Sequence, residues 1–193
     1  MTIQIKHPWA FTVTDYDSLF KDCHKLSTFM TRVRNKALKE CPRQEDQWKF
    51  YGDAFEAFTE ALYKLMGSHP DLQMADYEPI DIGDDYGVDG IGRGWDGTVH
   101  TVQCKARSNS DKLLTPNSDK LANFVAHSDS RYGLAGMKVK HLTLVTNAKG
   151  MHYVGDDMFQ GRVEVVGNEQ LRDLVDNNFL FWEQFHAAIA AWD

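Results

Sequence analysis

Asp84-Asp85-Tyr86-Gly87-Val88-Asp89-Gly90-Ile91-Gly92 is followed, after a short gap, by Val99-His100-Thr101-Val102-Gln103-Cys104-Lys105-Ala106-Arg107. Both segments read as strands. Val88 with Gly90 and Val99 with Thr101 suit extended backbone, and Trp95-Asp96-Gly97-Thr98 between them carries an Asp-Gly turn signal. Side chains on a strand alternate faces, so Gln103 and Lys105 are expected to point one way and Cys104 the other. Paired as a hairpin, the strands bring Asp89, Gln103 and Lys105 together. An acid, an amide oxygen and a lysine converging on a sheet suit a divalent cation with a basic neighbour.

These residues resemble the PD-(D/E)xK nuclease superfamily, in particular its Mrr-like restriction endonuclease branch. There the acidic strand often reads Gly-hydrophobic-Asp-Gly, as Gly87-Val88-Asp89-Gly90 does, and the next strand often carries Gln-x-Lys, as Gln103-Cys104-Lys105 does. A preceding helix often carries Gly-x-x-Phe-Glu, matched by Gly52-Asp53-Ala54-Phe55-Glu56. The match runs from about Phe50 to Leu174. It implies an α/β restriction endonuclease-like core, a central mixed sheet flanked by helices, with an N-terminal helical extension. Residues 46–177 would form that core, residues 1–45 a strand and helix extension, and residues 178–193 a C-terminal helix.

Composition sets the frame. A chain of 193 residues with 42% hydrophobic content can bury a core as one domain. No apolar run reaches the length of a membrane span, and no signal-peptide pattern follows Met1. Cys23, Cys41 and Cys104 are odd in number and widely spaced, which points to a reducing, cytoplasmic compartment. The absence of Cys-x-x-Cys and His-x-x-x-His spacing argues against zinc. The net charge of −7 lacks the basic bias of a dedicated nucleic-acid binder. A local basic face can still meet phosphate.

Along the chain, Thr2 to Lys6 alternates like a short strand. Asp17 to Glu40 has helical periodicity, with Arg32, Arg34 and Lys36 on its basic face. A second helix spans Asp46 to Met66, with Trp48, Tyr51, Phe55, Phe58, Leu62 and Leu65 as its apolar stripe. Tyr77 to Ile82 leads into the sheet. Asp81, Asp84 and Asp85 read as loop acids. Ser108 to Ser118 is a polar loop, and a helix follows from Ser118. Strands are expected at Lys138–Thr146 and Arg162–Val166. A helix begins near Asn168, its expected cap. The lone histidines, His100, His127, His141 and His152, read as structural.

The resemblance implies metal-dependent hydrolysis of DNA phosphodiesters. Asp89 would be the anionic ligand of Mg2+ or Mn2+, joined by Gln103, the Cys104 backbone carbonyl and Glu56, with Lys105 serving the attacking water and the phosphate. Taken alone, Glu56 reads as an ordinary helix acid. Arg93, Arg107, Lys112 and Lys120 flank the hairpin as DNA-contact candidates. A catalytically silent nuclease fold serving as a DNA-binding or docking module is the alternative. Mrr-like domains are often fused to helicase or translocase modules. The apolar residues 178–192 are therefore expected to mark such a junction, the chain being a fragment of a longer enzyme. No Gly-x-x-x-x-Gly-Lys-Ser/Thr loop is present, so the chain itself should not bind ATP.

Overall fold

The computed structural model describes residues 3–80, 87–115, 118–133, 138–152 and 161–192, with side chains omitted for residues 118–120. Two short helices, α1 (Trp9–Thr12) and α2 (Asp17–Phe20), precede two long ones, α3 (Leu26–Glu40) and α4 (Gln44–Met66). Then come β1 (Met74–Pro79), β2 (Gly90–Gly94), β3 (Val99–Lys105), β4 (Leu113–Leu114), α5 (Ser118–Tyr132), β5 (His141–Thr146), β6 (Gly150–Met151), β7 (Val163–Val166), α6 (Asn168–Val175) and α7 (Phe179–Ala190).

The sheet order is β1-β2-β3-β5-β7. β1, β2 and β3 are antiparallel neighbours, whereas β3, β5 and β7 run parallel. This is the expected mixed α/β architecture, with helices on both faces. Val102, Cys104, Val145 and Val166 share a core cluster with α4 and the N- and C-terminal helices. Leu142, Leu144 and Val163 share another with Leu121 and Phe124 of α5. Thr101 meets Ser128 of α5 through a 2.8 Å hydroxyl pair. The parallel strands are covered on both sides, which is why β5 reads as the nearly unbroken apolar run Leu142–Val145. No helix among the described residues is long and apolar enough to cross a membrane.

Several expectations shift. Residues 3–6 form no strand, because their neighbourhood is claimed by α4. Glu60 is fully buried, and its carboxylate accepts from Lys6 N (2.7 Å), His7 N (2.9 Å) and Lys64 Nζ (2.6 Å). The long helix expected from Asp17 breaks after Phe20. Asp22 takes a left-handed φ of 53°, and Arg32 Nη1 donates to Leu19 O and Lys21 O. The basic face of α3 is thereby largely spent, since Lys36 is also buried and paired with Glu40. Trp48, expected in the apolar stripe of α4, is 65% exposed. Asn168 is the first residue of α6 rather than its cap. The Gly167 N–H is taken by Gln170 Oε1 at 2.8 Å. In α7, Phe181, Trp182, Phe185, Ala188 and Ile189 all bury in the α4 cluster, and Asn178 caps the helix by accepting from Phe181 N.

Replacing Glu60 by alanine should lower the unfolding free energy by about 3–5 kcal/mol, the range for deleting one member of a buried charge pair. Denaturant unfolding reads the loss, and faster amide exchange at Lys6 and His7 locates it.

Candidate active site

The cleft opens where β3 runs out against α4. It has a volume of about 740 Å³ and is lined by Glu56, Tyr51 and Trp48 of α4, Arg34 of α3, and Cys104, Lys105 and Arg107 on the other side. It sits at the carboxyl end of the parallel pair β3–β5, the general location of ligand sites in open α/β sheets.

Asp89 is fixed against β3 on either side of Gln103. Its N–H donates to Val102 O at 2.8 Å, and its Oδ2 accepts from Cys104 N at 2.5 Å. Gln103 is 2% exposed, and its Nε2 donates to Gly87 O at 2.9 Å. That commits the amide nitrogen and leaves the amide oxygen as the atom able to ligate. Gly87 has φ 85°, a conformation glycine adopts without strain, so the turn that presents its carbonyl to Gln103 suits this residue.

Cys104 marks where the charged groups meet. Burial pushes its thiol well up, and the nearby Asp89 and Glu56 carboxylates push it further, while Lys105 opposes them. The thiol is therefore inert at neutral pH. The charges of Asp89, Glu56 and Lys105 thus all act on this one buried thiol. Lys105 is half-buried, and its Nζ has no hydrogen-bond or ion-pair partner among the described residues. Glu56 and Lys105 border the cleft directly. Asp89 and Gln103 are held behind it against β3, and neither belongs to the cleft lining. Two carboxylates and an amide oxygen are donors of the kind hard divalent cations take.

Three groups that the sequence reading passed over position this set. His7 Nδ1 accepts from Trp9 N at 3.2 Å, so the ring proton sits on Nε2 and is donated to Glu56 Oε2 at 3.0 Å. His7, Asp53 and Glu56 place ligand atoms within 4.8 Å of one another. That tautomer leaves His7 no lone pair for a metal, and Asp53 is engaged by Lys49 Nζ at 2.6 Å. The His7–Glu56 hydrogen bond orients the Glu56 carboxylate. On the other wall, buried Asn147 clamps the second residue after β3: its Oδ1 accepts from Arg107 N (2.6 Å) and its Nδ2 donates to Arg107 O (2.8 Å). Tyr51 OH donates to the same carbonyl at 3.0 Å. Nothing short-range in the sequence signals these pairings, which span 40 to 56 residues.

The DNA-contact candidates separate. Arg107 is exposed and lines the cleft, and Arg34 joins it from α3. Lys112 is exposed just before β4. Arg93 pairs with Val99, six residues along β3 from Lys105, roughly 20 Å away at strand spacing. It does not border the cleft. The Lys120 side chain and Asp81, Asp84 and Asp85 lie outside the described residues.

No family model matches the chain. No curated protein matches it either. Solved structures do. Protein VC1899 from Vibrio cholerae matches at 16% identity and TM-score 0.45, over 77% of this chain and 37% of that one. The MspJI restriction endonuclease, solved with a 27-mer oligonucleotide, matches at 16% identity and TM-score 0.45, over 94% of this chain and 38% of that one. The DNA modification-dependent restriction endonuclease AspBHI matches at 14% identity and TM-score 0.47, over 100% of this chain and 43% of that one. The chain spans 37% to 43% of the length of these proteins. Two of the three are restriction endonucleases.

Asn147→Ala should strip the Arg107 N–H and carbonyl of their buried partner. A loss of about 1–3 kcal/mol is expected in denaturant unfolding. Amide exchange at Arg107 should accelerate while exchange in α7 stays unchanged.

Proposed function

We propose that the chain is a metal-dependent DNA endonuclease domain of the PD-(D/E)xK type, Mrr-like in its Gln-x-Lys strand. The observation that carries this reading is a cleft whose lining brings together the Glu56 carboxylate, the Lys105 ammonium, unpartnered among the described residues, and Arg34 and Arg107, with Asp89 held directly behind it by its bond to Cys104 N.

A hard cation, Mg2+ or Mn2+, would be held by Asp89, Glu56, the Gln103 amide oxygen and the Cys104 backbone carbonyl, and would supply Lewis-acid neutralisation of phosphate charge. The protein's own groups do the rest. Lys105 offers three N–H donors to the attacking water and to the non-bridging phosphate oxygens, placing positive charge where negative charge develops. His7 holds Glu56 in one rotamer, so its carboxylate stays aimed at the site without reorganisation. Arg34 and Arg107 take backbone phosphates on either side of the scissile one. The Asn147 clamp keeps Arg107 and Lys105 in register with each other. Attachment to a helicase or translocase module in a longer polypeptide belongs to the same proposal, the motor feeding DNA into the cleft.

Plasmid and single-stranded DNA, incubated with Mg2+ or Mn2+, should be cut by the wild-type chain. Asp89→Asn should abolish cleavage by removing an anionic ligand. Lys105→Ala should slow it by about 10²–10⁴-fold, the span of a positioned proton-transfer or charge-stabilising group. DNA binding with no cleavage at any metal would instead make the chain a silent DNA-docking module.

Affinity for DNA should fall steeply with salt. Arg34→Ala and Arg107→Ala should each flatten the slope of log K against log salt by about one, whereas Arg93→Ala should leave it unchanged. Fluorescence anisotropy across a salt series reads all three.

A further inference from the structure

The opposite end of the sheet carries a second cluster. His100 and His141 are register partners on the parallel strands β3 and β5, with ring centroids 4.1 Å apart. Asp96, in the turn joining β2 to β3, brings its Oδ2 to 3.9 Å from His141 Nε2. One carboxylate oxygen of Asp96 and one nitrogen of each ring lie within 4.8 Å of one another. Five residues of β3, roughly 16 Å, separate His100 from Lys105, so this cluster is distinct from the cleft.

His100 is 4% exposed, and its Nε2 is buried with no hydrogen-bond partner among the described residues. Buried polar atoms in native proteins are nearly always satisfied, so an orphan of this kind calls for a partner. Space has been cleared for the ring. A Cβ added at Gly94 would collide with His100 Nε2. Asp96 is held by its other oxygen: Thr98 N and Thr98 Oγ1 both donate to Oδ1, at 3.0 and 2.5 Å. Glu164 Oε1 lies 3.7 Å from His141 Nδ1, on the side of the ring away from Asp96. A carboxylate behind the imidazole is how metal-ligating histidines are usually oriented.

We propose that Asp96, His100 and His141 form a binding site for a divalent transition-metal ion of the zinc class, which clips the β2–β3 turn to β5. Two imidazoles and one carboxylate suit zinc or cobalt rather than magnesium, and they leave a fourth position for water. Lys140 Nζ occupies Asp96 Oδ2 at 2.5 Å, on a side chain that is 62% exposed. The ion displaces it, and the ammonium swings into solvent, where exposed pairs of this kind lose little. The argument from sequence spacing against zinc misses this site because its ligands come from a turn and two strands, and are separated by 4 and 41 residues along the chain. The inference is independent of the nuclease reading.

Co2+ titrated into the full chain in the Asp89→Asn background, to silence the cleft, tests it. A visible d–d band of tetrahedral nitrogen–oxygen coordination should saturate at a single equivalent, and the melting temperature should rise with Co2+ concentration. Asp96→Asn keeps the Oδ1 cap on Thr98 and so should fold; with His141→Gln, it should weaken Co2+ by about tenfold or more, and Glu164→Ala by about tenfold. Lys140→Ala should tighten it by removing the competitor. Absence of the band, or a band of equal affinity in Asp96→Asn and His141→Gln with wild-type circular dichroism, would overturn the site and leave a stacked ring pair beside a surface ion pair.

Discussion

Glu60 is fully buried, and its two oxygens take the backbone N–H groups of Lys6 and His7 together with the Lys64 ammonium. A carboxylate stripped of water is tolerable only when its lone pairs are met this completely. Satisfying Glu60 therefore dictates where the N-terminal segment goes. It lies along α4 one turn from Glu56, Ile5 and Trp9 drop into the core on either side, and the His7 ring is delivered to the Glu56 carboxylate. The cleft's acid is thus held by a chain of contacts that begins at a residue remote from any chemistry.

Much of this fold can be read in the sequence, for identifiable reasons. Period-2 segments and an Asp-Gly turn place β2 and β3, the apolar run marks β5, and 3.6-residue spacing marks α4 and α7. The juxtaposition of Asp89 with β3 also follows from the hairpin. What stays hidden are side-chain pairings across long separations. His7 with Glu56, Tyr51 and Asn147 with Arg107, and Glu60 with Lys6 carry no local pattern, since each residue alone is an ordinary polar residue. The kink at Asp22 and the strand that Glu60 pre-empts near Ile5 are cases where tertiary partners override local propensity. Basic residues mislead in the same way: Arg32 and Lys36 look like a phosphate-binding face, yet they serve backbone carbonyls and Glu40.

Charge is distributed so that a chain of net −7 still offers a positive cleft. Some acids elsewhere are matched within the structure, as in Asp129 with Arg162 and Asp176 with Arg172. Arg162 holds the Asp129 carboxyl below the usual range. Lys105, Arg34 and Arg107 converge on one concavity with low-dielectric walls. Field lines focused by such a cleft act on a polyanion locally, whatever the sign of the whole molecule.

Residues far apart in the sequence also meet. Trp192 Nε1 donates to Ile5 O across 187 residues, and its ring stacks edge-on against Phe11. Leu26 N, at the start of α3, is met by Asp176 Oδ1 from beyond α6. The helical core is therefore a non-local structure in which part of the packing of its first residues forms only when the residues after α7 are present. On a ribosome adding about 5–20 residues per second, Ile5 and Phe11 wait on the order of ten to forty seconds for their contacts with Trp192. During that interval the contacts that Trp192 makes to Ile5 and Phe11 are unmade, so this part of the packing is completed only once the residues following α7 have been synthesised.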